Sequence, residues 1–432
     1  MPTLDNDVTS ATFETLFGPE FGHGKPFALD NLRAALDALG APHQKLPPVI
    51  HVAGTNGKGS TIAFMRAIAE AAGLRVHAFT KPHLFRLAER FTLAGATASD
   101  ASLIATAERI AAVAPELSQF DAQVAAAFLL FSETPADLAL LETGMGGRDD
   151  STNVIERPAV SVISPIGLDH QDALGATLAE IAAHKAGIVK RIATTIVARQ
   201  EPDVLPILQQ QAHAVEGDLR IQGQHWDAFE RHGQLAVQTN RRFMLLQSPR
   251  LHGPHQFENA GLACVALWNW RDDIPDEAFS SGLDAVSWPG RLQPLTRGPF
   301  SAPIRALGGE VWVDGGHNAH AAEALARWLG AMWRKRDADT IVILGMRARK
   351  DGAAFLHALA SAADHVIAVP LTNADHTPPG TLADMAAKAG AESETASSLE
   401  HALTRAARFP APRVLICGSL ALAADALALE GG

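Results

Sequence analysis

The 432-residue sequence contains no tyrosine and only two cysteines, Cys264 and Cys417. The lack of tyrosine excludes any chemistry that depends on a phenol. Two cysteines so far apart in sequence are typical of reduced core thiols and not of a disulfide bridge. No apolar run is long enough to span a bilayer, and the first residues lack the basic and apolar segments of a signal peptide. We therefore expect a cytoplasmic protein that does not bind a membrane.

Basic residues are in the minority, with 36 Lys and Arg against 47 Asp and Glu and a formal net charge of −11. This balance argues against general nucleic-acid binding. Apolar residues make up 47% of the chain and charged residues 19%, which is typical of a globular protein. Because the chain is too long for one typical hydrophobic core, we expect two domains.

Residues 48–61 form the most informative segment, since an apolar strand over residues 48–53 leads through a glycine-rich turn directly into a helix. Glycines let backbone N–H groups approach phosphate oxygens, and the following helix N-terminus adds positive potential. Lys58 can reach the outer phosphates, so this turn predicts an ATP-binding loop. Its spacing departs from the strict G-x-x-x-x-G-K-[ST] pattern, and an ordinary strand–turn–helix is the alternative. The candidate ATP-binding residues are Gly54, Thr55, Asn56, Gly57, Lys58, Gly59 and Ser60.

Short apolar strands alternate with helices through the first two-thirds of the chain. This alternation predicts a doubly wound α/β fold with a parallel sheet covered on both faces. The predicted strands are 75–79, 138–142 and 159–164, and the predicted helices are 101–114, 121–131 and 176–188. Residues 217–247 combine short apolar runs with polar turns, which predicts a small antiparallel extension.

Turn-forming residues at 296–303 separate this region from a second alternating pattern. Its predicted strands are 311–313, 340–344, 365–369 and 413–417. We therefore predict a P-loop-containing, doubly wound ATP-binding domain over residues 1–297. A smaller Rossmann-like α/β domain follows over residues 298–432.

Two strand ends in the first domain carry candidate metal ligands. Glu142 ends a fully apolar strand and precedes a glycine-rich turn, which suits an Mg²⁺ site, although a solvated loop carboxylate is the alternative. Asp169 and His170 follow the next strand and therefore lie on the same rim of the sheet. Imidazole is an unusual ligand for Mg²⁺, so these observations leave the role of His170 open.

Lys185 lies on the apolar face of the predicted helix 176–188, together with Ile181 and Ile188. Burial there would favour the neutral amine, which can add CO₂ to form a carbamate, a carboxylate-like metal ligand. The pattern alone favours a different arrangement, in which the side chain extends its ammonium to solvent.

The second domain repeats the strand–glycine turn–helix arrangement at residues 311–318. Asp314 at the strand end suits a contact to ribose or to metal-bound water, and His317 at the helix start suits an anion. An N-cap role is the simple alternative for Asn318. Arg291 precedes the predicted boundary and could reach a phosphate.

Together and in this order, these segments resemble the Mur-ligase superfamily, and within it the folylpolyglutamate synthase/dihydrofolate synthase family. Any one segment alone is weak, whereas the ordered set is highly specific. The matching segments are residues 51–60, 82–86, 89–90, 142–148, 166–170, 185–188, 255–256, 259–260, 290–291 and 314–318.

The resemblance implies ATP-dependent ligation of L-glutamate to dihydropteroate, to folates or to both. In such a reaction the acceptor carboxylate takes the γ-phosphate of ATP, and the glutamate amine then displaces phosphate from the acyl phosphate. The implied partners are these small molecules and Mg²⁺, in a monomeric enzyme. Other Mur-type ligases and a non-catalytic relative that binds nucleotide or folate are the alternative functions.

The resemblance also implies residue roles. ATP would contact Asn259, Arg291 and Asp314 in addition to the phosphate loop. Glu142 and His170 would bind Mg²⁺, carbamylated Lys185 would place a second Mg²⁺, and Lys58, Lys185 and His317 would be catalytic. The pterin-side substrate would contact Phe120, Asp121, Ala122, Gln123, Asp149, Asp150 and Ser151.

One position departs from the family pattern, because Lys81 stands where the family has a serine that ligates the first Mg²⁺. An ammonium cannot ligate a cation and would repel it. Either Thr80 takes over as a ligand after a small shift, or Lys81 contacts phosphate directly and replaces part of the charge of the metal ion. A smaller departure is His184, at a position where an acidic residue is common.

Overall fold

The computed structural model describes residues 7–20, 29–191, 193–372 and 375–431. The chain divides into two compact units. The N-terminal unit contains residues 2–250 and 256–286, and the C-terminal unit contains residues 251–255 and 287–432. The residues from 287 to the predicted boundary at 297 therefore belong to the C-terminal unit.

The N-terminal unit is built on an eight-stranded sheet with the strand order β4-β3-β2-β5-β1-β6-β7-β8. The strands from β2 to β8 in this order are parallel to their neighbours, whereas β3 and β4 pair in antiparallel fashion at one edge. The strands are β1 (Val49–Ala53), β2 (Val76–Phe79), β3 (Phe91–Leu93), β4 (Ala96–Thr97), β5 (Leu138–Glu142), β6 (Val160–Ile163), β7 (Thr194–Val197) and β8 (Asp218–Ile221). The predicted parallel sheet is thus confirmed.

β8 corrects one prediction, since it pairs in parallel with β7 and does not belong to an antiparallel extension. It is an edge strand with largely exposed side chains, and its polar pattern therefore resembles that of an antiparallel hairpin. The antiparallel extension itself is a three-stranded sheet, and it begins after β8. Its strands are β9 (Trp226–Arg231), β10 (Gln234–Thr239) and β11 (Phe243–Leu246).

Helices cover both faces of the large sheet. One hydrophobic core joins the sheet to the helices at residues 8–17, 29–38, 100–111 and 119–133. Another joins it to the helices at residues 178–185 and 205–215. The helices are α1 (Val8–Phe17), α2 (Leu29–Ala38), α3 (Lys58–Ala71), α4 (Asp100–Ala111), α5 (Gln119–Glu133), α6 (Gln171–Leu174), α7 (Leu178–Lys185), α8 (Leu205–Val215), α9 (Pro254–Trp270) and α10 (Asp276–Ala285). Short 3₁₀ helices cover Pro42–Gln44, Leu87–Arg90, Ser151–Val154 and Ala186–Ile188. The single helix predicted at 176–188 is therefore α7 followed by a 3₁₀ turn.

The C-terminal unit contains a six-stranded sheet with the strand order β12-β13-β17-β14-β15-β16. Only β12 is antiparallel to its neighbour, so the predicted Rossmann-like arrangement is confirmed. The strands are β12 (Gln293–Leu295), β13 (Glu310–Val313), β14 (Thr340–Leu344), β15 (His365–Ala368), β16 (Glu392–Thr395) and β17 (Arg413–Cys417). The helices are α11 (Ala302–Ala306), α12 (Ala319–Lys335), α13 (Gly352–Leu359), α14 (Pro379–Lys388), α15 (Leu399–Ala406) and α16 (Leu420–Gly431), with a 3₁₀ helix at Ala360–Ala362.

Both cysteines are free and buried, as predicted, with Cys264 in α9 and Cys417 at the end of β17. Burial raises the pKa of the Cys264 thiol to about 12 and that of Cys417 well above its usual value. Across the described ranges, no helix has both the length and the apolar character that a membrane span requires.

Candidate active site

The loop between β1 and α3 is shaped by two glycines that lie against neighbouring side chains. Gly57, with φ of 88°, directly precedes Lys58, and a Cβ at this position would overlap the side-chain oxygen of Asn259. The amide of Asn259 in turn donates to Gln256 at 3.0 Å. A Cβ at Gly54 would overlap Ser164. Only glycine fits at these two positions, so the loop keeps the open backbone that phosphate binding needs.

The remaining residues of the loop are fixed by β6 and by the start of α3. The Thr55 backbone N–H donates to the Pro165 carbonyl, and the Thr55 hydroxyl exchanges hydrogen bonds of 2.9 and 3.0 Å with the Gly167 backbone. Asn56 offers its carbonyl oxygen to the Ser164 hydroxyl at 2.7 Å. Lys58, Gly59 and Ser60 form the first turn of α3, and Ser60 is buried.

Lys58 folds back over this loop. Its Nζ donates to the carbonyl oxygens of Gly54 and Thr55, both at 3.1 Å. The same nitrogen lies 3.9 Å from Oε1 of Glu142, so the lysine bridges the phosphate loop and the candidate metal ligand.

Glu142, the last residue of β5, is only 4% exposed, and its Oε2 accepts the Lys81 backbone N–H at 3.1 Å. β5 and β6 flank β1 on either side, so Glu142 and the loop leading to His170 lie at the same edge of the sheet as the phosphate loop. His170 has φ of 53° and immediately precedes α6. Thr80 is buried, and its backbone N–H donates to the Arg90 carbonyl.

These groups fit a magnesium ion, which takes one or two protein ligands and completes its shell with water and substrate phosphates. Among the described residues, no group of three or more His, Cys, Asp and Glu side chains is arranged to hold a metal. The predicted ligands also include Lys185, which is not one of these four residue types. A lysine side chain has no oxygen, so Lys185 could ligate Mg²⁺ only as a carbamate.

Lys185 is 4% exposed, and its Nζ donates to the Gly54 carbonyl oxygen at 2.8 Å. Burial lowers the pKa of Lys185 to about 7, and nearby Lys58 lowers it further, while Asp169 and Asp150 oppose the shift. The solvent-directed side chain that the sequence pattern favoured is therefore wrong. The lysine turns inward because its amine finds an acceptor in the phosphate loop.

The glycine-rich turn after Glu142 packs directly on the end of α7. The Arg148 backbone N–H donates to the His184 carbonyl at 2.7 Å. A Cβ at Gly147 would contact the backbone of Lys185, and a Cβ at Gly187 would overlap that of Arg148. These glycines let the turn after Glu142 and the end of α7 approach each other closely.

The predicted pterin-side residues fall into three environments. Phe120 lies against the Gly144 backbone, while Asp121 accepts hydrogen bonds of 2.6 Å from the hydroxyls of Ser118 and Ser151. Ala122 is fully buried within the hydrophobic core. The hydrogen bond between Asp121 and Ser151 thus joins the start of α5 to the segment that follows the glycine-rich turn.

The two neighbouring aspartates in this segment differ strongly. Asp150 is buried, and burial raises the pKa of its carboxyl group, although it accepts hydrogen bonds from the backbone of Met145 and from the backbone and hydroxyl of Thr152. Asp149 is half-exposed and lies 3.5 Å from Nδ1 of His184. Asp150 therefore faces the interior, and Asp149 lies near the surface beside His184.

Sequence reasoning missed a buried polar cluster beside these residues. Arg90, only 3% exposed, donates to both carboxylate oxygens of Glu20 at 2.7 and 3.0 Å and to Oε1 of Gln123 at 2.6 Å. It also donates to Nδ1 of His83 at 3.0 Å. Burial, followed by the charge of Arg90, lowers the pKa of His83 to about 4. Arg90 belonged to a matching sequence segment, whereas nothing in the sequence pointed to Glu20.

In the C-terminal unit, the loop after β13 and the segment before β12 are joined by hydrogen bonds. Asp314 accepts from the backbone N–H groups of Leu292 at 2.9 Å and Gly316 at 2.6 Å. The Gly315 N–H donates to the carbonyl of Gly290, which also accepts from the Arg291 guanidinium at 3.0 Å. Asp314 and Arg291 thus lie in one local site.

His317 and Asn318 follow in the same loop. The His317 ring nitrogen Nδ1 lies 2.9 Å from the Gly315 carbonyl oxygen. Asn318 caps α12 by accepting the Ala321 N–H at 2.9 Å, so the N-cap alternative holds for this residue.

Comparison with known proteins identifies the family. The family model of the Mur ligase middle domain matches residues 52–267, and that of the dihydrofolate synthetase C-terminal domain matches residues 302–429. The dihydrofolate synthase/folylpolyglutamate synthase of Bacillus subtilis is 34% identical over 346 residues, which cover 75% of this chain and 76% of that protein. The chain belongs to the dihydrofolate synthase/folylpolyglutamate synthase family.

Solved structures of this family share the whole fold. E. coli FolC in complex with DHPP and ADP superposes with a TM-score of 0.86 at 27% identity and covers 99% of both chains. The bifunctional folylpolyglutamate synthase/dihydrofolate synthase of Yersinia pestis, with Mn, AMPPNP and L-glutamate bound, has a TM-score of 0.83 at 28% identity. It covers 99% of this chain and 98% of its own. The protein is an ATP-dependent ligase, and neither the non-catalytic alternative nor another Mur-type substrate is favoured.

Proposed function

We propose that this ligase joins the amine of L-glutamate to the carboxylate of dihydropteroate and to that of reduced folates, with conversion of ATP to ADP and phosphate. The observation that carries this proposal is that Lys58 and Lys185 both donate to the Gly54 carbonyl, with Glu142 at 3.9 Å from the Lys58 nitrogen. Phe120 lies against Gly144, two residues after Glu142, and the charge of buried Asp150 acts on Lys185. The names of the relatives and the ligands in their structures support the choice of substrates.

The reaction has two steps. An oxygen of the acceptor carboxylate attacks the γ-phosphorus of ATP, so that the bond to the β-phosphate breaks and ADP leaves. The glutamate amine then attacks the acyl carbon, loses a proton and displaces phosphate. Lys58 swings from the loop carbonyls to the transferred phosphate, where its ammonium stabilises the developing negative charge.

Glu142 and His170 would hold Mg²⁺, which supplies positive charge to the phosphate oxygens when it is bound. Thr80 is buried at the end of β2 and is available as a further oxygen ligand. In the C-terminal unit, we propose that Arg291 and Asp314 contribute to nucleotide binding and that His317 acts on the transferred phosphate.

Lys185 would act as a carbamate that places a second Mg²⁺. Its amine is buried and adjacent to the cation of Lys58, and both conditions favour the uncharged form that reacts with CO₂. The carbamate is an anion, so it would replace repulsion between two ammonium groups with attraction.

The proposal is tested by measuring ADP release from the purified protein with Mg²⁺-ATP and L-glutamate, with dihydropteroate and tetrahydrofolate supplied in parallel reactions. We expect release that depends on glutamate with both acceptors. Glutamate-dependent release with only one acceptor would reduce the proposal to one activity. No stimulation by either acceptor, despite ATP binding, would refute it.

A matched pair of lysine variants controls this experiment. Lys58→Met should abolish ADP release, because it removes the ammonium that lies 3.9 Å from Glu142. Lys45→Met changes an exposed lysine outside the site and should leave ADP release unchanged.

A further inference from the structure

The acceptor side of the phosphate loop contains an ammonium group to which the proposed reaction gives no role. The Lys81 backbone N–H donates to Oε2 of Glu142 at 3.1 Å, which fixes the residue next to the candidate metal ligand. Its side chain turns towards α5, where Nζ lies 4.4 Å from the centre of the Phe120 ring. Lys81 therefore connects the phosphate side of the site with the predicted acceptor side.

The ammonium group of Lys81 has N–H donors that no acceptor among the described residues uses. Within the described ranges, its one ion-pair partner is Oε1 of Glu20 at 3.8 Å, which is too long for a hydrogen bond. Across the described part of the chain, Nζ makes no hydrogen bond, although four-fifths of the Lys81 side chain is buried. A buried cation with three unused N–H donors is costly unless an anion binds to it.

The nearby carboxylates already interact with other groups through hydrogen bonds or ion pairs. Glu20 receives two hydrogen bonds from Arg90, so Glu20, Arg90 and Lys81 together carry one surplus positive charge. Glu142 lies beside Lys58, and Asp150 accepts three hydrogen bonds from the Met145 backbone and from Thr152. Within the described residues none of these carboxylates accepts a hydrogen bond from the Lys81 ammonium, so its N–H donors are available to a ligand.

Three anionic substrates enter the proposed reaction, namely ATP, the acceptor carboxylate and L-glutamate, whose amine acts only in the second step. The phosphates already have Lys58 and the N-terminus of α3. The Lys81 ammonium instead lies over the aromatic ring of Phe120 and beside the Glu20–Arg90 pair.

We infer that Lys81 binds the reacting carboxylate of the acceptor and holds it for attack on ATP. This inference rests on the proposed function and deepens it, since it names the group that positions the nucleophile. The Lys81 ammonium would hold the carboxylate by a charge-assisted hydrogen bond, so position 81 need not supply a metal ligand.

The test separates recognition of the carboxylate from recognition of the ring system. Binding of pteroic acid and of its carboxamide is measured by titration calorimetry, with ADP saturating and L-glutamate absent so that no turnover occurs. Lys81→Met should weaken binding of the acid by about 10- to 100-fold, which is the effect of losing a charge-assisted hydrogen bond. Binding of the uncharged carboxamide should not change.

Two further variants and one control complete the design. Lys81→Arg retains the charge and should retain the preference for the acid over the amide, while Lys81→Gln should lose it. Lys45→Met should behave as the unmodified protein. Circular dichroism checks that each variant is folded, and Lys81→Gln replaces Lys81→Met in the comparison if the latter fails to fold.

Equal weakening of acid and carboxamide by Lys81→Met would overturn the inference, because it would show a role in packing. Unchanged binding of both would also overturn it, as would a loss confined to ADP affinity, which would assign Lys81 to the phosphates. Glutamate-dependent ADP release by the unmodified protein is measured alongside. If that release is present, these outcomes refute only the role of Lys81, whereas its absence refutes the proposed function.

Discussion

At the residue scale, the Gly54 carbonyl oxygen receives hydrogen bonds from two lysine side chains. Lys58 donates to it at 3.1 Å and Lys185 at 2.8 Å. Burial disfavours the ammonium form of Lys185, and repulsion from the neighbouring Lys58 ammonium adds to this cost. The pKa of Lys185 is accordingly about 7, so much of this side chain is uncharged at neutral pH.

Replacement of Lys185 by alanine should reduce ADP release by about 10²–10³-fold, since the proposed carbamate that places the second Mg²⁺ would be lost. A short carboxylic acid such as propionate should restore part of the activity, because it can occupy the place of the carbamate. Lys185→Arg keeps a positive charge, fills the space and should not be rescued. Full activity of Lys185→Ala without added acid would contradict the carbamate proposal.

The same lysine should make stability depend on pH in CO₂-free buffer. Because its folded pKa lies below its unfolded value, the unfolded chain binds more protons between about pH 7 and pH 10.4, and stability rises with pH there. The destabilisation is fully present below pH 7. Urea unfolding should therefore show Lys185→Met to be more stable than the unmodified protein at pH 6, with a difference that shrinks towards pH 9. A constant difference would contradict the lowered pKa.

Two glycines provide a matched pair of substitutions on opposite sides of the site. In Gly57→Ala the added methyl group would overlap the Asn259 side chain, and the backbone would be strained by about 1–3 kcal/mol. The substitution should therefore weaken ATP binding. Gly144→Ala meets the Phe120 ring and should weaken acceptor binding while ATP binding is kept. Separate titrations with ATP and pteroic acid measure both effects. Identical effects of the two variants on both ligands would argue against separate subsites.

At the element scale, the helix that carries Lys185 begins with a capping box. The Thr177 hydroxyl accepts the Glu180 N–H, and the Glu180 carboxylate accepts the Thr177 N–H. Thr177→Ala should lower the free energy of unfolding by about 1 kcal/mol. Thr15→Ala is the control, since the hydroxyl of this exposed threonine bonds only within its own helix. Urea titrations measure the free energy of unfolding of both variants. Equal losses of stability would show that the Thr177 cap does not stabilise the protein.

Strands with fully buried side chains were the elements most accurately predicted. β5 and β14 match their predicted bounds because continuous apolar runs have one suitable environment, the centre of a covered parallel sheet. β8 was misassigned because an edge strand shows the same polar pattern whether its single neighbour is parallel or antiparallel. α7 was predicted too long because its last turn tightens where Gly187 meets Arg148, a contact between residues far apart in sequence.

The candidate site could be predicted where glycines and charged residues stand together in sequence, as in the phosphate loop. The inward turn of Lys185 and the cluster of Glu20, Arg90 and His83 could not be predicted. Both depend on hydrogen bonds between segments that only the folded chain brings together. Apolar periodicity carries no information about such partners.

At the scale of the whole molecule, each unit has its own hydrophobic cores, so damage to one can be followed separately. In the C-terminal unit, fully buried Arg413 donates to Glu310 at 2.9 Å and to the carbonyls of Met332 and Arg336. Arg413→Met removes one donor from each of these acceptors and breaks the buried pair with Glu310, so it should cost about 3 kcal/mol of stability. Hydrogen exchange should rise in β13, β14 and β17.

Arg336→Met is the matched control for this prediction, because Arg336 donates to the same Glu310 at 2.8 Å but is one-third exposed. It should increase exchange less. The phosphate loop of the N-terminal unit should keep its protection in both variants at early exchange times. Uniform loss of protection along the chain would mean that the two units unfold as one.

The two cysteines have a practical consequence for watching the protein at work. Each unit contains one, both are fully buried, and the raised pKa of each leaves almost no reactive thiolate. The thiols of the natural chain should therefore react only very slowly with maleimide dyes. One surface cysteine introduced in each unit would therefore accept a dye at a chosen position without removal of a native residue.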